Sequence, residues 1–421
     1  MRAARLLEHF EDSVMTVRRA TVLALCLHVA HSFCPTPALR TNAPMGTMLP
    51  LAPVSVARSR RLHAALGRRP LAALDWGPQV RGLSGKVCLV TGASKGIGKG
   101  IATALGEQGA RVYITGRSLE RLEATAAAIR ARGGTPVPVQ VDHSEQAEIE
   151  ALFKKIREEE GRLDILVNNC FAAVDGIFNN QTRGQKFWER DLSWFDVVNN
   201  VGLKAHFIAS QLAIPLMLPS STKGSPGLIV HVSSFGGLLY LFDVAYGVGK
   251  AALDRMAQDM AVELRERNIA VVSLWSGGAV VTETIQALVL NDPVVKESKT
   301  LKDILPSQIQ DPASLSLNSL STSPAFMKEF DKGESPLFVG RAVCALARMS
   351  PGRSPLEYSG KVVLTSDLAD EFGFTEEDGS QPKSYRSVSR LLDEVIPGLG
   401  GVVPRGIKIP APLIGLFASK F

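Results

Sequence analysis

Short apolar runs alternate with helical stretches along most of this chain. Residues 87–90 form an apolar run and 98–107 then has a helical pattern; 112–115, 119–132 and 137–141 continue the alternation. Strands separated by helices in this way pair in parallel, and the helices cover the faces of the sheet. The pattern predicts an α/β fold with a single doubly wound parallel sheet, helices on both faces, and ligands at the carboxyl ends of the strands.

A glycine-rich turn links the first predicted strand to the first predicted helix. Residues 91–98 read Thr-Gly-Ala-Ser-Lys-Gly-Ile-Gly. Gly92 permits the tight turn, Gly96 lets backbone approach a pyrophosphate, and Gly98 allows the helix to pack closely. The helix N terminus adds partial positive charge, so this strand, turn and helix predict a Rossmann-like dinucleotide site.

Tyr246 and Lys250 stand four residues apart, so on a helix they share one face. A buried ammonium beside a phenol favours the phenolate and lowers a pKa that is ordinarily near ~10. The pair predicts a general acid, Tyr246, that is tuned by Lys250. A Tyr and a Lys at this spacing are usually a surface pair, and the glycine turn upstream is what favours the catalytic interpretation.

Five motifs in this order resemble the classical short-chain dehydrogenase/reductase family. Between the glycine turn and Tyr246 lie 139–142 (Val-Gln-Val-Asp), 163–169 (ending Asn-Asn) and 229–234 (ending Ser-Ser), so that the resemblance covers 85–367, roughly two thirds of the chain. It implies hydride transfer to a carbonyl carbon, with a serine hydroxyl on the substrate oxygen. Ser234, twelve residues before Tyr246, fits the family's spacing better than Ser233, which stays an alternative.

The resemblance also assigns cofactor-binding positions. They are Gly92, Ser94, Lys95, Gly96, Ile97, Gly98, Arg117, Asp142, Asn168, Asn169, Tyr246, Lys250 and Thr282. An NAD enzyme needs a carboxylate at the end of the second strand, whereas an NADP enzyme needs cations there. Arg117 follows that strand and Lys95 precedes Gly96, so we expect NADPH; the alternative is that both cations are merely solvated.

Two stretches depart from the family's pattern. Cys170-Phe171 replaces the usual Ala-Gly after the paired asparagines, which brings bulk toward the nicotinamide position. Gly202 stands where the family normally has a catalytic asparagine, and neither Asn199 nor Asn200 is a clean replacement. Our hypothesis is that Gly202 allows a local helix kink, whose free backbone carbonyl holds a proton-relay water.

Apolar and aromatic residues mark the predicted substrate side and favour a small lipophilic carbonyl, such as a steroid, prenyl or fatty-chain ketone. They are Phe171, Phe178, Phe187, Trp188, Tyr240, Leu241 and Phe242. The predicted function is NADPH-dependent reduction of such a carbonyl to an alcohol. Alternatives are a 3-oxoacyl carrier-protein reductase of plastid lipid synthesis and a non-catalytic NADPH-binding sensor or scaffold. The scattered histidines indicate no metal site, and the family commonly forms homo-oligomers.

Residues 1–80 have the composition of a targeting leader. They hold 10 Arg and four acidic residues, whereas the rest of the chain holds 37 basic and 37 acidic residues. The net charge of +6 therefore belongs to the leader, and nothing favours nucleic-acid binding by the body. An apolar stretch at 20–30 precedes an Arg- and Ser-rich one, as in bipartite signal-plus-transit leaders. We expect a disordered leader and a plastid location; the alternatives are a mitochondrion or the endoplasmic reticulum membrane.

The body is predicted to divide into a catalytic domain, 81–370, and a C-terminal extension, 371–421. After Glu394 the extension contains no acidic residue, and three basic residues stand among apolar runs. A cationic, apolar tail of this kind suits peripheral contact with a membrane surface. The alternative is that the tail docks on a neighbouring subunit or on its own domain.

Overall fold

A computed structural model describes residues 82–177, 185–290, 333–348, 353–384, 386–390 and 407–409. Within these ranges seven strands form one parallel sheet in the order β3-β2-β1-β4-β5-β6-β7. The strands are β1 (Val87–Val90), β2 (Arg111–Gly116), β3 (Thr135–Gln140), β4 (Ile165–Asn168), β5 (Gly227–Val232), β6 (Ile269–Trp275) and β7 (Val362–Leu364). The strand order changes direction between β1 and β4, where such sheets open a crevice for ligands. The predicted doubly wound α/β fold is confirmed.

Helices connect the strands and pack on both faces of the sheet. They are α1 (Gly96–Glu107), α2 (Leu119–Ala131), α3 (Gln146–Glu160), α4 (Val174–Ile177), α5 (Trp194–Asn199), α6 (Ala205–Met217), α7 (Val244–Leu264), α8 (Glu283–Leu290), α9 (Pro336–Arg348) and α10 (Thr365–Phe372). A π-helical turn, Asn200–Lys204, joins α5 to α6. Two of the predicted helices end within a residue of their expected positions, at Glu107 and Ala131.

Each face of the sheet has its own buried core. Ile101, Phe338 and Phe372 pack together on the face covered by α1, α9 and α10. Phe153 and Met217 belong to the opposite core, beneath α3 and α6. Together the two cores fix the strand ends, and the loops that leave those ends carry the site described below.

The two edges of the sheet differ in composition and length. β3 forms one edge, and its Pro136 and Pro138 stand in register with Val112 and Ile114 of β2. β7 forms the other edge and has three residues. Prolines are found in edge strands because a central strand needs every backbone N–H for its ladder.

The chain divides into two compact units, 72–382 and 1–71 with 383–421. The sheet and all ten helices named above belong to the first. In the second, Ser387 pairs with Lys408 in a short antiparallel bridge, and Arg390 Nη1 donates to the Lys383 carbonyl oxygen at 2.9 Å. No helix in the described ranges is long and apolar enough to cross a membrane. The predicted leader, 1–80, and most of the tail lie outside the described residues.

Candidate active site

The turn between β1 and α1 has the shape that its glycines predict. Gly92 and Gly96 have positive φ angles of 66° and 58°. A Cβ atom on Gly92 would lie 2.8 Å from the Cys170 Cα atom, and one on Gly98 would lie 2.3 Å from the Gly92 oxygen. Lys95 caps α1 without a side-chain hydrogen bond to its N–H groups. The N terminus of α1 thus lies next to a tight backbone turn without a hydrogen bond from its own N-cap side chain, an arrangement that fits a pyrophosphate.

Asn169 holds this turn in place. Its Nδ2 atom donates to the Thr91 oxygen at 2.9 Å and to the Gly92 oxygen at 3.1 Å. Its backbone N–H and that of Cys170 donate to Thr91 Oγ1, at 3.0 and 3.1 Å. Asn169, which follows β4, is thus hydrogen-bonded to Thr91 and Gly92, which follow β1. Its role in the site is to fix the shape of the glycine turn.

Asn168 lies behind the cleft. It is fully buried, and its Nδ2 atom donates to Ser210 Oγ at 2.9 Å and lies 3.3 Å from His231 Nδ1. These contacts join β4 to α6 and β5. The Nδ2 group of Asn168 is therefore directed to the interior, and the cofactor contact expected of Asn168 stays a prediction.

Two buried histidines stack behind the same strand ends. The ring centroids of His206 and His231 lie 6.2 Å apart with an interplanar angle of 18°. Burial lowers the pKa of His231 to about 3, and burial with the charges of His231 and Lys250 lowers the pKa of His206 well below its usual value. Both rings are therefore neutral at neutral pH and contribute packing and hydrogen bonds rather than charge.

The remaining predicted cofactor residues around the turn lie close together. Ser94 Oγ would be 3.3 Å from a Cβ atom on Gly116, at the end of β2. The Thr282 methyl carbon would be 3.4 Å from a Cβ atom on Gly96, so Thr282 lies over the turn. Ile97 packs, half-buried, against the core on the α1 face, so its approach to a ligand is through the backbone.

A cleft of about 380 Å³ lies at the ends of β2 and β3, lined by Arg117, Gln140, Asp142 and Glu148. Gln140 Nε2 donates to the Arg117 oxygen at 2.9 Å, and the Asp142 N–H donates to Glu148 Oε2 at 2.7 Å. Burial raises the pKa of Asp142, but hydrogen bonds from Ser144 and the charge of Arg117 outweigh it, and the net shift is downward. The cleft brings Arg117 and Asp142 together as predicted. Gln140 and Glu148 were missed, although Glu148 stands in the first turn of α3.

Ser234 and Tyr246 form the central pair of the site. Ser234 Oγ lies 2.8 Å from Tyr246 Oη and accepts a hydrogen bond from the Gly236 N–H at 3.1 Å. Ser233 is buried, and its hydroxyl donates to the Lys250 carbonyl oxygen at 3.2 Å. Of the two serines, Ser234 is the one that lies beside Tyr246, so the geometry favours it, and its catalytic role stays a prediction.

The charge state of Tyr246 differs from the expectation. Burial raises its pKa to about 12, with the Ser234 hydrogen bond lowering it and the Asp243 charge raising it. Burial lowers the pKa of Lys250 to about 8, although the charge of Asp254 raises it. The Lys250 ammonium donates to the Val232 oxygen at 3.0 Å instead of to the phenol. The predicted lowering of the Tyr246 pKa is wrong for this arrangement, because burial of the phenol raises the pKa more than the Ser234 hydrogen bond lowers it.

Asp243 anchors the helix that carries both residues. It caps α7 and accepts a hydrogen bond from the Tyr246 N–H at 2.9 Å. Trp194 Nε1 donates to its carboxylate at 3.2 Å, and Arg190 Nη2 lies 3.7 Å from it while its guanidinium lies over the Trp194 ring. Sequence reasoning missed this set. The sequence did contain a signal for Asp243. It stands three residues before Tyr246, and Asp is a preferred residue at the N-cap of a helix.

Gly202 lies in the π-helical turn between α5 and α6, which confirms the predicted kink; the water it was expected to hold stays a prediction. A Cβ atom on Gly202 would lie 2.8 Å from Phe171 Cδ2. Asn199 points toward α7, where its Nδ2 atom donates to the Ala245 oxygen at 3.3 Å. The two departures from the family's pattern are therefore one feature, since the Phe171 ring occupies the space beside Gly202.

Two residues of the predicted apolar side, Phe171 and Phe242, contact Tyr246. The Phe242 ring approaches the Tyr246 ring edge-on, with centroids 5.1 Å apart. Phe187, Trp188, Tyr240 and Leu241 are all exposed, and Phe178 lies outside the described residues. Within the described ranges, no three His, Cys, Asp or Glu side chains are grouped so that they could hold a metal ion.

Comparisons with known proteins agree with this geometry. A family model described as short chain dehydrogenase matches residues 86–292. The chain is 40% identical over 343 residues to the Homo sapiens protein named Dehydrogenase/reductase SDR family member 1, covering 80% of this chain and 99% of that protein. It is 31% identical over 196 residues to a 7alpha-hydroxysteroid dehydrogenase of Clostridium sardiniense, covering 46% and 71%.

Among solved structures, the chain is similar to the Pseudomonas aeruginosa RhlG/NADP active-site complex. The TM-score is 0.51 at 26% sequence identity, and the match covers 67% of this chain and 95% of that one. A relative of 40% identity that is matched over nearly its whole length shares its family as well as its fold. The chain belongs to the short-chain dehydrogenase/reductase family of nicotinamide-dependent oxidoreductases.

Proposed function

We propose that the protein reduces a small lipophilic ketone or aldehyde to an alcohol with NADPH, and that Tyr246 is the general acid. The observation that carries the proposal is the 2.8 Å pair formed by Ser234 Oγ and Tyr246 Oη. Two hydroxyls held side by side can both donate to a carbonyl oxygen as negative charge builds up on it.

The proton supply follows from the burial of Tyr246. Because burial raises its pKa to about 12, the phenol keeps its proton at neutral pH and can donate it. Ser234 then stabilises the substrate oxygen, and the Gly236 N–H, which donates to Ser234 Oγ at 3.1 Å, orients that hydroxyl. Lys250 lies one turn further along α7, and its ammonium nitrogen is 5.6 Å from the centroid of the Tyr246 ring. In this family the residue at that position holds the nicotinamide ribose.

The turn after β1 supports the cofactor. Gly92 and Gly98 leave room for backbone alone, so a pyrophosphate can approach the N terminus of α1. Arg117 lines the cleft beyond β2, and Lys95 precedes Gly96, so both cations suit a 2′-phosphate. When bound, NADPH supplies the hydride that reduces the carbonyl carbon. The likeness to a structure named as an NADP complex supports the same choice.

The substrate class is supported by the aromatic surface around Tyr246. Phe242 stands against the Tyr246 ring, and Tyr240 and Leu241 continue the exposed apolar surface. A relative named as a hydroxysteroid dehydrogenase is consistent with a lipophilic substrate. Burying such surface against an apolar ligand contributes about 25 cal/mol per Å².

The test is turnover by the full-length chain. NADPH and NADH consumption would be followed with a panel of ketones, aldehydes, quinones and 3-oxoacyl carrier-protein thioesters. Tyr246→Phe is the test variant, and Tyr358→Phe, outside the site, is the matched control. NADPH turnover that is lost in the first variant and kept in the second supports the proposal. NADPH binding without turnover by the unmodified chain would instead indicate a sensor or scaffold, and preference for the thioesters would indicate the carrier-protein reductase.

A further inference from the structure

Phe171 occupies an unusual position in the catalytic site. It follows β4, where the family's pattern has a small residue, and it is half-buried. A Cβ atom on Gly202 would lie 2.8 Å from Phe171 Cδ2 and 3.1 Å from Cε2, which real Cβ atoms avoid. The ring therefore requires glycine at position 202, on the π-helical turn.

The Phe171 ring contacts both Lys250 and Tyr246. The Lys250 Nζ atom lies 5.1 Å from the Phe171 ring centroid, within the range of a cation–π interaction. The Tyr246 ring meets the Phe171 ring at 82° with centroids 5.8 Å apart, an edge-to-face contact. The Phe171 side chain thus contacts both Tyr246 and Lys250, the two residues of α7 to which the proposed function assigns catalytic roles.

We propose that Phe171 is a positioning residue, whose ring holds the Lys250 ammonium against its face and packs edge-to-face with the Tyr246 ring, and that Gly202 makes room for it. This inference rests on the proposed function, because it assigns Phe171 a role through Tyr246 and Lys250. The role is electrostatic as well as steric, since the negative face of the ring stabilises the charged form of Lys250.

Other groups also act on Lys250 and have to be kept unchanged in a test. Asp254 on α7 attracts the ammonium and is itself fixed by hydrogen bonds from Ser273 Oγ and from Trp275 Nε1, at 2.5 and 3.0 Å. Cys170 after β4 and the stacked pair His206 and His231 on α6 and β5 are buried, and burial keeps all three uncharged at neutral pH. Tyr246 keeps its proton over the same range. The ring face of Phe171 can therefore be varied against a constant background.

The experiment is stepwise fluorination of the ring in the full-length protein. Fluorine withdraws electron density from the ring face while leaving its size nearly unchanged, so a steric role would not respond. Phenylalanine with one, two or three fluorine atoms would be placed at position 171. The matched control is the same series at Phe338, which is buried in the core covered by α1, α9 and α10, away from the site.

Two readouts follow the series. NMR of ¹³C-labelled lysine reports the titration of Lys250 without any substrate, and the alkaline limb of kcat/KM reports it during turnover. We expect the Lys250 titration to move to lower pH step by step, by about half a pH unit in total, because each fluorine weakens support for the ammonium. The Phe338 series should leave it unchanged.

The outcomes separate this inference from the proposed function. A stepwise NMR shift supports the role of the ring, even in a protein that shows no turnover. An unchanged titration across the Phe171 series overturns it, even in an active reductase. A further variant tests the fit with Gly202: Gly202→Ala should lower the Tm, and Phe171→Gly in the same chain should restore part of that loss. Equal losses with and without the ring would overturn the claim that Gly202 exists to make room for it.

Discussion

The carboxylate of Glu283 accepts a hydrogen bond from the Gly96 N–H at 2.8 Å and pairs with Lys99 at 3.1 Å. Glu283 begins α8, yet its side chain lies at the N terminus of α1, where the glycine turn would receive a phosphate. An anion is favourable there for the same reason that a pyrophosphate is. A pyrophosphate bound at this turn would therefore compete with the Glu283 side chain for one N–H group.

Glu283→Gln should tighten NADPH binding. The neutral amide competes less well than a carboxylate for the helix terminus and for Lys99, and it does not repel the phosphates. We expect Kd to fall about three- to tenfold at low salt, with a smaller change at high salt. Calorimetric titration with NADPH measures it, and Glu263→Gln, an exposed acid on α7, is the control. An unchanged or weaker affinity would show that Glu283 supports the turn rather than competing at it.

Ser234→Ala should lower kcat more than it raises KM. The variant removes a hydroxyl that lies 2.8 Å from Tyr246 Oη and that stabilises charge only as it develops. We expect a loss of about 10²- to 10³-fold in kcat. The Ser233 hydroxyl donates to the Lys250 carbonyl oxygen instead. Ser233→Ala should therefore lower the Tm more than it lowers kcat. Steady-state kinetics and thermal unfolding of the two variants distinguish these effects, and a larger kcat loss in Ser233→Ala would reverse the assignment.

Arg117→Asp should change the cofactor preference. The guanidinium is the cation among the four residues that line the cleft, and a carboxylate in its place would repel a 2′-phosphate while accepting ribose hydroxyls. We expect KM for NADPH to rise about 10- to 100-fold, with KM for NADH unchanged or lower. Arg121→Asp, an exposed charge reversal on α2, controls for the change in net charge. Equal effects on the two cofactors would argue against a 2′-phosphate contact.

His231 should make the fold sensitive to acid. Its folded-state pKa is lowered to about 3, below the ordinary value of 6.5, so the unfolded chain binds the proton more readily. The stability contributed by the neutral ring is complete above about pH 6.5 and is lost as the pH falls toward 3, at about 1.4 kcal/mol per pH unit. His231→Asn should reduce this slope in urea unfolding between pH 6.5 and 4. Identical slopes in the two proteins would exclude His231 as the source.

Local patterns predicted more of this molecule than its long-range contacts. The glycine turn and the Tyr246–Lys250 spacing could be interpreted directly, because turn geometry and helix periodicity depend on neighbours in sequence. The contact between Phe171 and Gly202 could not, because the two residues are separated in sequence by α4 and α5 and each by itself resembles a lost family position. The Tyr246 pKa was predicted in the wrong direction for a similar reason, since burial depends on the whole site. The plastid location, the membrane contact of the tail and the homo-oligomer stay predictions.

The edge strands set a limit on how copies of this chain can associate. Pro136 and Pro138 carry no N–H, so β3 offers few donors to a strand that approaches from outside, and β7 at the other edge is three residues long. Exposed edges are where sheets of separate molecules join and begin to aggregate. Assembly through a continuous intermolecular sheet is therefore disfavoured. Copies of the chain would therefore associate through helix and loop surfaces. This applies both at high concentration and while the chains are still partly folded.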